Sequence, residues 1–381
     1  MEGIYLDHAA TTYLAPEVLQ AMLPYFTELY GNAESVHFQG KKAKIAIDSA
    51  REEIAKHLNC KSSEIIFTSG GTESNNLAIF GTAYANKGRG RHLVTSKIEH
   101  SSVTNCFKEL EKKGFEVTWL EVDNEGFISL GDLKKALRKD TMLVSIMYAN
   151  NEIGTILPVK EIGEICKEQN IPFHTDACQA AGALSLDTQD LNLTLLTLNA
   201  SKIYGPKGIG ALYIKTGHEI KPTQFGGSHE RNIRAGTHNV PGIVGLAKAL
   251  QLAQENREKE NARLIALRNK LITGLTTMIP ECTLNGPKNL RLPNNVNISI
   301  RAVHSADSVL QLDELGIYAS PGSACKAGSS QPSHVLEAIN LPRNLRHTAI
   351  RLTLGHKTTE EDIDYVLQNV PPLIEKMRKC A

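Results

Sequence analysis

The fold class of this chain is set by the segment LLTLNASKIYGPKGIGALYI, residues 195–214. It contains two short apolar runs, Leu195–Asn199 and Gly210–Ile214, separated by a glycine-rich bend. Such runs, bounded by turn residues, predict buried strands. Lys202 follows the first run, and a lysine flanked by apolar sequence usually has a chemical role because it is costly to bury. A desolvated lysine can form a Schiff base; the alternative is a side chain that extends from the strand end into solvent.

Five similar runs precede this segment and alternate with helical patterns. The predicted strands are Glu64–Thr68, His92–Ser96, Val117–Leu120, Leu143–Tyr148 and Pro172–Thr175. Strands that alternate with amphipathic helices are typical of the α/β fold class. The first two-thirds of the chain therefore predicts one large sheet with helices on both faces.

After Gly245 the pattern changes to one long helical repeat with a charged middle, followed by an alternating strand around Ile298. The final helix is predicted to begin with a capping box formed by Thr358 and Glu361. We expect it to end before the pair Pro371–Pro372. These elements predict a second, smaller α+β domain.

Composition limits the function classes. The 381 residues include 42 Lys and Arg against 41 Asp and Glu, a balance that argues against direct nucleic-acid binding, which usually needs a basic excess. No run reaches the roughly 18 apolar residues of a membrane span, and a secretory signal is not evident. Seven cysteines without a CxxC spacing argue against a disulfide framework and a cysteine zinc site. We expect a cytoplasmic protein with no membrane contact and no resident metal.

Two further segments are candidates for ligand binding. In EIIFTSGGTESNNLAIFG, residues 64–81, a strand is followed by Gly70 and Gly71 and a helix that opens near Thr72. Backbone N–H groups at a helix start bind anions, and glycine allows close approach; the alternative is an ordinary tight turn. Asp176 follows a predicted strand, at the sheet edge where open α/β sheets bind ligands. Its alternative role is a helix N-cap.

Three more side chains have chemical potential. Cys325 lies in a loop of small residues beside Lys326, and a thiol next to a cation can ionise and act as a nucleophile. Arg351 lies in a strand-like alternation and could bind a carboxylate with two hydrogen bonds, or form a surface salt bridge. His100 follows a predicted strand, although a lone histidine is more often structural than catalytic. The other six cysteines are interpreted as structural.

Asp176 and Lys202, on successive strand ends after a glycine-rich turn, are what a pyridoxal 5′-phosphate (PLP) site needs, because the lysine holds the cofactor and the aspartate pairs with its ring nitrogen. The chain resembles the NifS/IscS-like cysteine desulfurases, class-V aminotransferases of PLP fold type I. The resemblance runs through nine segments in family order: YLDHAATT, TSGGTESNN, IEHSSV, NNEIGT, HTDACQ, SKIYGPKGIGALY, RAGTHNV, GSAC and IRLTLG.

The resemblance implies a mostly parallel seven-stranded sheet in a PLP-binding domain of residues 15–256. Residues 1–14 and 257–381 would form the small domain, with a catalytic loop at about 319–334. Cys325, Lys202 and His100 would be catalytic, and Arg351 and Asn151 would bind substrate. The implied cofactor residues are Lys202, Gly71, Thr72, His100, Asn151, Asp176, Gln179, Asn199, Ser201 and, from a second subunit, Thr237.

The implied reaction converts L-cysteine to L-alanine. The sulfur of the substrate would be held as a persulfide on Cys325. The same residue would be a transient contact for an iron–sulfur cluster. The implied partners are a second copy of the chain and a sulfur-acceptor protein, such as an iron–sulfur scaffold or a thiolation enzyme. The alternative is a selenocysteine lyase or another class-V aminotransferase-like enzyme. The chain departs from the family pattern at Asn199, Ser201, Pro321, Lys326 and His356.

Overall fold

The computed structural model describes residues 3–88, 90–322 and 332–380, and Cys325 and Lys326 lie outside these ranges. The strands are β1 Ile4–Tyr5, β2 Ile65–Thr68, β3 His92–Ser96, β4 Glu116–Leu120, β5 Thr141–Ser145, β6 Phe173–Asp176, β7 Leu195–Asn199, β8 Gly210–Ile214, β9 Cys282–Leu284, β10 Asn295–Ile300, β11 Ile317–Tyr318 and β12 Ala349–Thr353. The helices are α1 Pro16–Met22, α2 Pro24–Thr27, α3 Phe38–His57, α4 Gly71–Ala85, α5 Ser101–Lys112, α6 Leu130–Ala136, α7 Val159–Glu168, α8 Val240–Glu255, α9 Arg257–Met278, α10 Ser305–Glu314, α11 His334–Ala338 and α12 Glu360–Cys380.

The seven strands predicted in the first two-thirds of the chain form one sheet in the order β2-β8-β7-β6-β5-β3-β4. Strand β8 runs antiparallel to both neighbours, and the other pairs are parallel. The α/β fold class is therefore confirmed. The carboxyl ends of β2, β3, β6 and β7 lie at one edge of the sheet, which brings Thr68, Ser96, Asp176 and Asn199 to the same side of the molecule.

A second unit is built on the antiparallel sheet β12-β10-β9, with β1 and β11 paired beside it. Its apolar residues form a cluster separate from those of the large sheet, to which Leu6 of the N-terminal segment and Leu271, Val296 and Ile363 contribute. This separate core supports the division into two domains, with the N-terminal segment in the small one. The division itself stays a prediction.

Two predictions about helices were wrong. The long repeat after Gly245 is two helices, α8 and α9, which meet at Asn256. The final helix does not end before Pro371–Pro372 but continues to Cys380. A proline within a helix costs about 3 kcal/mol, but Val370 and Ile374 are buried in the second core, and each such burial contributes about 1.5–3 kcal/mol.

The start of the final helix also differs from the prediction by one residue. The backbone N–H of Asp362 donates to Thr359 Oγ1 at 3.1 Å, and that of Thr359 donates to Asp362 Oδ2 at 2.9 Å. The capping box is therefore formed by Thr359 and Asp362 rather than by Thr358 and Glu361. No helix within the described ranges is long and apolar enough to span a membrane.

A buried carboxylate fixes the segment that leads to Thr237. Glu230 accepts two hydrogen bonds from Arg51, at 2.7 and 2.8 Å, one from the backbone N–H of Phe67 and one from His238 Nε2. Burial alone would raise the pKa of Glu230, but the hydrogen bonds from Arg51 and His238 and the Arg51 charge lower it to about 2. The carboxylate therefore ties this loop to β2 and α3.

We expect Glu230→Gln to lower the free energy of unfolding at pH 7 by about 3 kcal/mol, the value of a pKa depressed from 4.5 to about 2. This contribution is complete above pH 4.5 and is lost as the pH falls towards the folded pKa. Urea unfolding at pH 7 and at about pH 3 measures it, and the difference between wild type and variant should shrink at the lower pH. Glu281→Gln, at an exposed ion pair, is the control. A difference that does not change with pH contradicts the prediction.

Candidate active site

A cavity of about 1020 Å³ lies at the carboxyl edge of the large sheet. Nine of the residues selected from the sequence line it: Gly71, Thr72, His100, Asn151, Asp176, Gln179, Asn199, Lys202 and Arg351. Ser201 and Thr237 are not among the lining residues. The side chain of Ser201 donates to Asn199 Oδ1 at 3.1 Å, and Thr237 is exposed.

Lys202 enters the cavity from a single turn of 3₁₀ helix that directly follows β7. Its Nζ donates to the carbonyl oxygens of Ala9 at 2.8 Å and Ala10 at 2.5 Å. Gln179 Nε2 also donates to the Ala9 carbonyl, at 2.9 Å. The N-terminal segment therefore orients a primary amine at the cavity wall, so the alternative of a side chain directed into solvent is wrong.

The turn between β2 and α4 forms an anion cradle. A Cβ on Gly71 would lie 2.7 Å from Cys178 Sγ, and one on Gly210 would lie 2.7 Å from the Gly70 Cα, so close packing requires glycine at both positions. Gly70 has a φ of +150°, which an L side chain rarely adopts. Helix α4 has 15 residues, and its first N–H groups lack partners within the helix. With the Thr72 hydroxyl beside them, they fit a phosphate group.

Asp176 ends β6 and is 7% exposed. Its Oδ1 accepts from the Cys178 backbone N–H at 2.9 Å, and its Oδ2 accepts from Asn75 Nδ2 at 2.7 Å. The residues that follow form turns rather than a helix, so the alternative role as a helix N-cap is wrong. A held carboxylate in this cavity can pair with a protonated ring nitrogen.

His100 has a structural role and also lies at the cavity. It is the N-cap of α5, where its Nδ1 accepts from the Ser102 backbone N–H at 3.2 Å and contacts Ser102 Oγ at 2.8 Å. The same ring lines the cavity. The cap interaction fixes the ring orientation towards the site.

Arg351 lies on β12 and is 1% exposed, so a surface salt bridge is excluded. Its Nη2 donates to Asp7 Oδ1 at 2.7 Å, and its Nη1 donates to the Asn151 carbonyl at 3.1 Å. Its Nε is buried without a hydrogen-bond partner among the described residues. The guanidinium also lines the cavity, where it can bind a carboxylate.

The sequence did not single out several residues that build this site. Asn75, Ser102 and Glu152 line the cavity, and Cys178 lies beneath Gly71. Asn75 and Ser102 are within the quoted segments TSGGTESNN and IEHSSV, but their contacts with Asp176 and His100 depend on how α4 and α5 pack. Burial raises the pKa of the Cys178 thiol well above its usual value, so this thiol stays neutral.

The comparisons identify the family. A model of the family described as "Aminotransferase class-V" matches residues 4–366. The chain belongs to the class-V aminotransferases. The cysteine desulfurase IscS of Clostridium botulinum strain Hall is 53% identical to this class-V enzyme over 380 residues, covering 99% of this chain and 96% of the relative.

A second curated class-V relative, the cysteine desulfurase IscS of Methanosarcina thermophila, is 50% identical and covers 100% of this chain and 94% of its own length. Among solved structures, a NifS-like protein has a TM-score of 0.93 at 37% identity and covers 98% of this chain and 100% of that chain. As a member of this group, the enzyme is PLP-dependent. The cradle at Gly71, the carboxylate of Asp176 and the amine of Lys202 fit the phosphate, ring nitrogen and aldehyde of that cofactor.

Proposed function

We propose that this chain removes the sulfur of L-cysteine, with Lys202 as the attachment point of PLP and Cys325 as the sulfur acceptor. Curated relatives at about 50% identity over the full length make it a cysteine desulfurase. The observation that carries the proposed residue roles is the meeting of the Lys202 amine, the Asp176 carboxylate and the Arg351 guanidinium in one cavity.

The contacts of Asp176, Thr72 and Lys202 support a separate role for each of them. Bound PLP supplies an electron sink for the pair released when a proton leaves the substrate Cα. The Asp176 carboxylate would hold the proton on the ring nitrogen, and the α4 N-terminus with Thr72 would bind the phosphate. Lys202 would take the Cα proton at its Nζ. The departure at Asn199 leaves a side chain that lines the cavity and can donate a hydrogen bond.

Arg351 and Asn151 would hold the substrate carboxylate. The Nη groups of Arg351 are oriented by Asp7 and by the Asn151 carbonyl, and the residue lines the cavity. Because Asp7 shares the guanidinium, a bound carboxylate would compete for part of an existing ion pair.

We expect Arg351→Lys to raise the KM for L-cysteine roughly 10- to 100-fold with a smaller change in kcat, because hydrogen bonds to charged groups contribute about 1.5–3 kcal/mol. Steady-state kinetics of alanine formation measures both constants. Arg346→Lys is the matched control, because Arg346 bonds to Glu337 and to a backbone carbonyl instead. A change in kcat alone contradicts the substrate-binding role.

The sulfur-transfer step uses the Cys325 thiolate. It attacks the sulfur of the bound substrate, so that an S–S bond forms, the C–S bond breaks, and the electron pair of that bond passes to the carbon fragment, which is protonated and leaves as alanine. Lys326, the next residue, favours the thiolate through its charge. The persulfide sulfur then passes to an acceptor protein of iron–sulfur assembly or thiolation.

A second copy of the chain is the proposed structural partner. Large apolar side chains around α1–α3 are exposed, with Tyr30 at 69%, Val36 at 87% and Phe38 at 67%. Clusters of exposed apolar residues mark interaction surfaces. Thr237 is exposed on the loop held by Glu230, so a homodimer would let it reach the phosphate site of the partner.

The proposed function is tested with purified protein, L-cysteine and L-selenocysteine. Visible absorbance reports bound PLP, and assays of alanine and of sulfide or selenide report turnover. Formation of alanine and sulfide from L-cysteine, in equal amounts in the presence of a reductant, is the expected result. A yellow protein that acts only on selenocysteine supports the lyase alternative instead. Sedimentation of the holoenzyme as a monomer contradicts the proposed dimer.

A further inference from the structure

A buried chain of hydrogen bonds links the two groups that flank the cofactor ring in the proposed function. Asn75 on α4 donates from Nδ2 to Asp176 Oδ2 at 2.7 Å and from the same nitrogen to Ser102 Oγ at 2.8 Å. Ser102 Oγ lies 2.8 Å from His100 Nδ1. Asn75 is 1% exposed and Ser102 is 8% exposed. This hydrogen-bond network of Asp176, Asn75, Ser102 and His100 thus joins β6, α4 and α5 at the floor of the cavity.

The direction of each hydrogen bond follows from the number of protons. The Asp176 carboxylate accepts, so it requires the amide nitrogen of Asn75 to face it. The second N–H of that amide faces Ser102 Oγ, which accepts it and is left with its own proton to donate to His100 Nδ1. The Ser102 backbone N–H also points at Nδ1, at 3.2 Å. With two donors aimed at it, Nδ1 is an acceptor, and the proton of the neutral ring resides on Nε2.

The amide of Asn75 has a second feature that supports this orientation. Its Oδ1 is buried without a hydrogen-bond partner among the described residues, and leaving a buried acceptor unsatisfied is unfavourable by about 1–3 kcal/mol. The amide keeps this orientation because both of its N–H groups are engaged, one of them by a charged acceptor. In this arrangement the amide holds Asp176 and, through Ser102, His100, while its own oxygen is left without a hydrogen bond among the described residues.

We propose that Asn75 and Ser102 are positioning residues that transmit the orientation of the Asp176 carboxylate to His100 and fix His100 as its Nε2–H tautomer. The inference rests on the proposed roles of Asp176 and His100 beside PLP. A proton on Nε2 and a lone pair on Nδ1 determine which ring atom can donate within the cavity. This hydrogen-bond network therefore determines that His100 donates a proton from Nε2 during turnover.

The first test observes the intact network in the wild-type holoenzyme. The holoenzyme labelled with ¹⁵N-histidine is studied by long-range ¹H–¹⁵N correlation spectra, in which protonated and unprotonated ring nitrogens have different shifts, and His100→Gln assigns the signals. The expected result is an unprotonated Nδ1 and a protonated Nε2 in His100. A proton on Nδ1 overturns the proposal, whether or not the protein desulfurates cysteine.

The second test is a double-mutant cycle in the holoenzyme. We expect Ser102→Ala to lower kcat roughly 3- to 10-fold and Asn75→Ala roughly 10- to 100-fold, with a shifted visible absorbance maximum of PLP in the Asn75 variant. The kcat of the double variant should be no lower than that of the Asn75 variant, because both residues act through the same hydrogen-bond network. Ser102→Thr, which keeps the hydroxyl, should restore the His100 tautomer spectrum. If the two losses in kcat multiply in the double variant, Asn75 and Ser102 act independently, and the proposal is overturned.

Thr82→Ala is the matched control for these variants. Thr82 lies on α4 about two turns after Asn75, is fully buried, and its hydroxyl bonds to His218 Nε2 at 2.9 Å, outside both the network and the cavity lining. It should reduce stability as Ser102→Ala does while leaving the tautomer spectrum and kcat unchanged. If it alters both as Ser102→Ala does, the role of Ser102 is merely structural. A wild-type protein that shows no visible absorbance of PLP or forms no alanine would instead count against the proposed function.

Discussion

Lys202→Ala is expected to lower kcat for L-cysteine by at least roughly 10³-fold and to abolish the visible absorbance of lysine-bound PLP. Nζ of Lys202 is presented to the cavity by the Ala9 and Ala10 carbonyls. The substitution removes both the attachment point of the cofactor and the group that takes the Cα proton. Absorbance spectra and alanine formation, measured on the same preparation, report the two losses separately.

Lys202→Arg and Lys207→Ala are the controls for this prediction. Arginine keeps the positive charge but lacks a primary amine that can attach the cofactor. Lys202→Arg should therefore lose activity and absorbance as Lys202→Ala does. Lys207 lies in the same glycine-rich bend but is exposed and does not line the cavity, so its replacement should leave spectrum and rate unchanged. Full absorbance in Lys202→Ala, or its loss in Lys207→Ala, contradicts the assignment.

The sequence alone predicted the parts of this fold that local patterns determine. All seven strands of the large sheet were predicted because each is a short apolar run between turn residues, although β5 spans Thr141–Ser145 rather than Leu143–Tyr148. The ends of β6 and β7 could be placed at one edge from the α/β pattern, which brought Asp176 and Lys202 together before any coordinates. The turn at Gly71 was predicted for the same reason, since a strand, two glycines and a helix start are adjacent in the chain.

Long-range contacts explain what could not be predicted. Arg351 and Asp7 are 344 positions apart, and no local pattern indicates that a strand near the end of the chain meets the N-terminal segment. The course of α12 through Pro371 was decided by burial of Val370 in the second core, which overrides the local preference of proline. The contact of Asn75 with Asp176 spans 101 positions and exists only because α4 packs over β6.

Cys178 agrees with the interpretation of six of the seven cysteines as structural, and the packing supplies the physical reason. It follows Asp176 by two residues in a segment rich in small side chains, much as Cys325 lies among small residues. Only the packing shows that its thiol lies 2.7 Å from where a Cβ on Gly71 would be. Burial raises its pKa, and the Asp176 charge adds to that effect. A thiol in this position fills space and is a poor nucleophile.

Cys325→Ser is expected to reduce formation of alanine and sulfide from L-cysteine by at least roughly 10³-fold while leaving the visible absorbance of PLP unchanged. Serine has nearly the same size but cannot accept sulfur as a persulfide, so the substrate C–S bond has no attacking group. Incubation with L-cysteine, alkylation and mass spectrometry of the peptides should place one extra sulfur atom on Cys325 in the wild type.

Cys282→Ser is the control that separates a catalytic thiol from an ordinary one. Cys282 lies on β9, where burial raises the pKa of its thiol to about 11, so it is protonated at neutral pH and its replacement should change neither rate nor spectrum. A Cys325→Ser enzyme that still releases sulfide at the wild-type rate contradicts the persulfide mechanism. Because PLP chemistry at Lys202 would be intact in that enzyme, such a result would assign sulfur release to direct elimination within the cavity, with no protein thiol required.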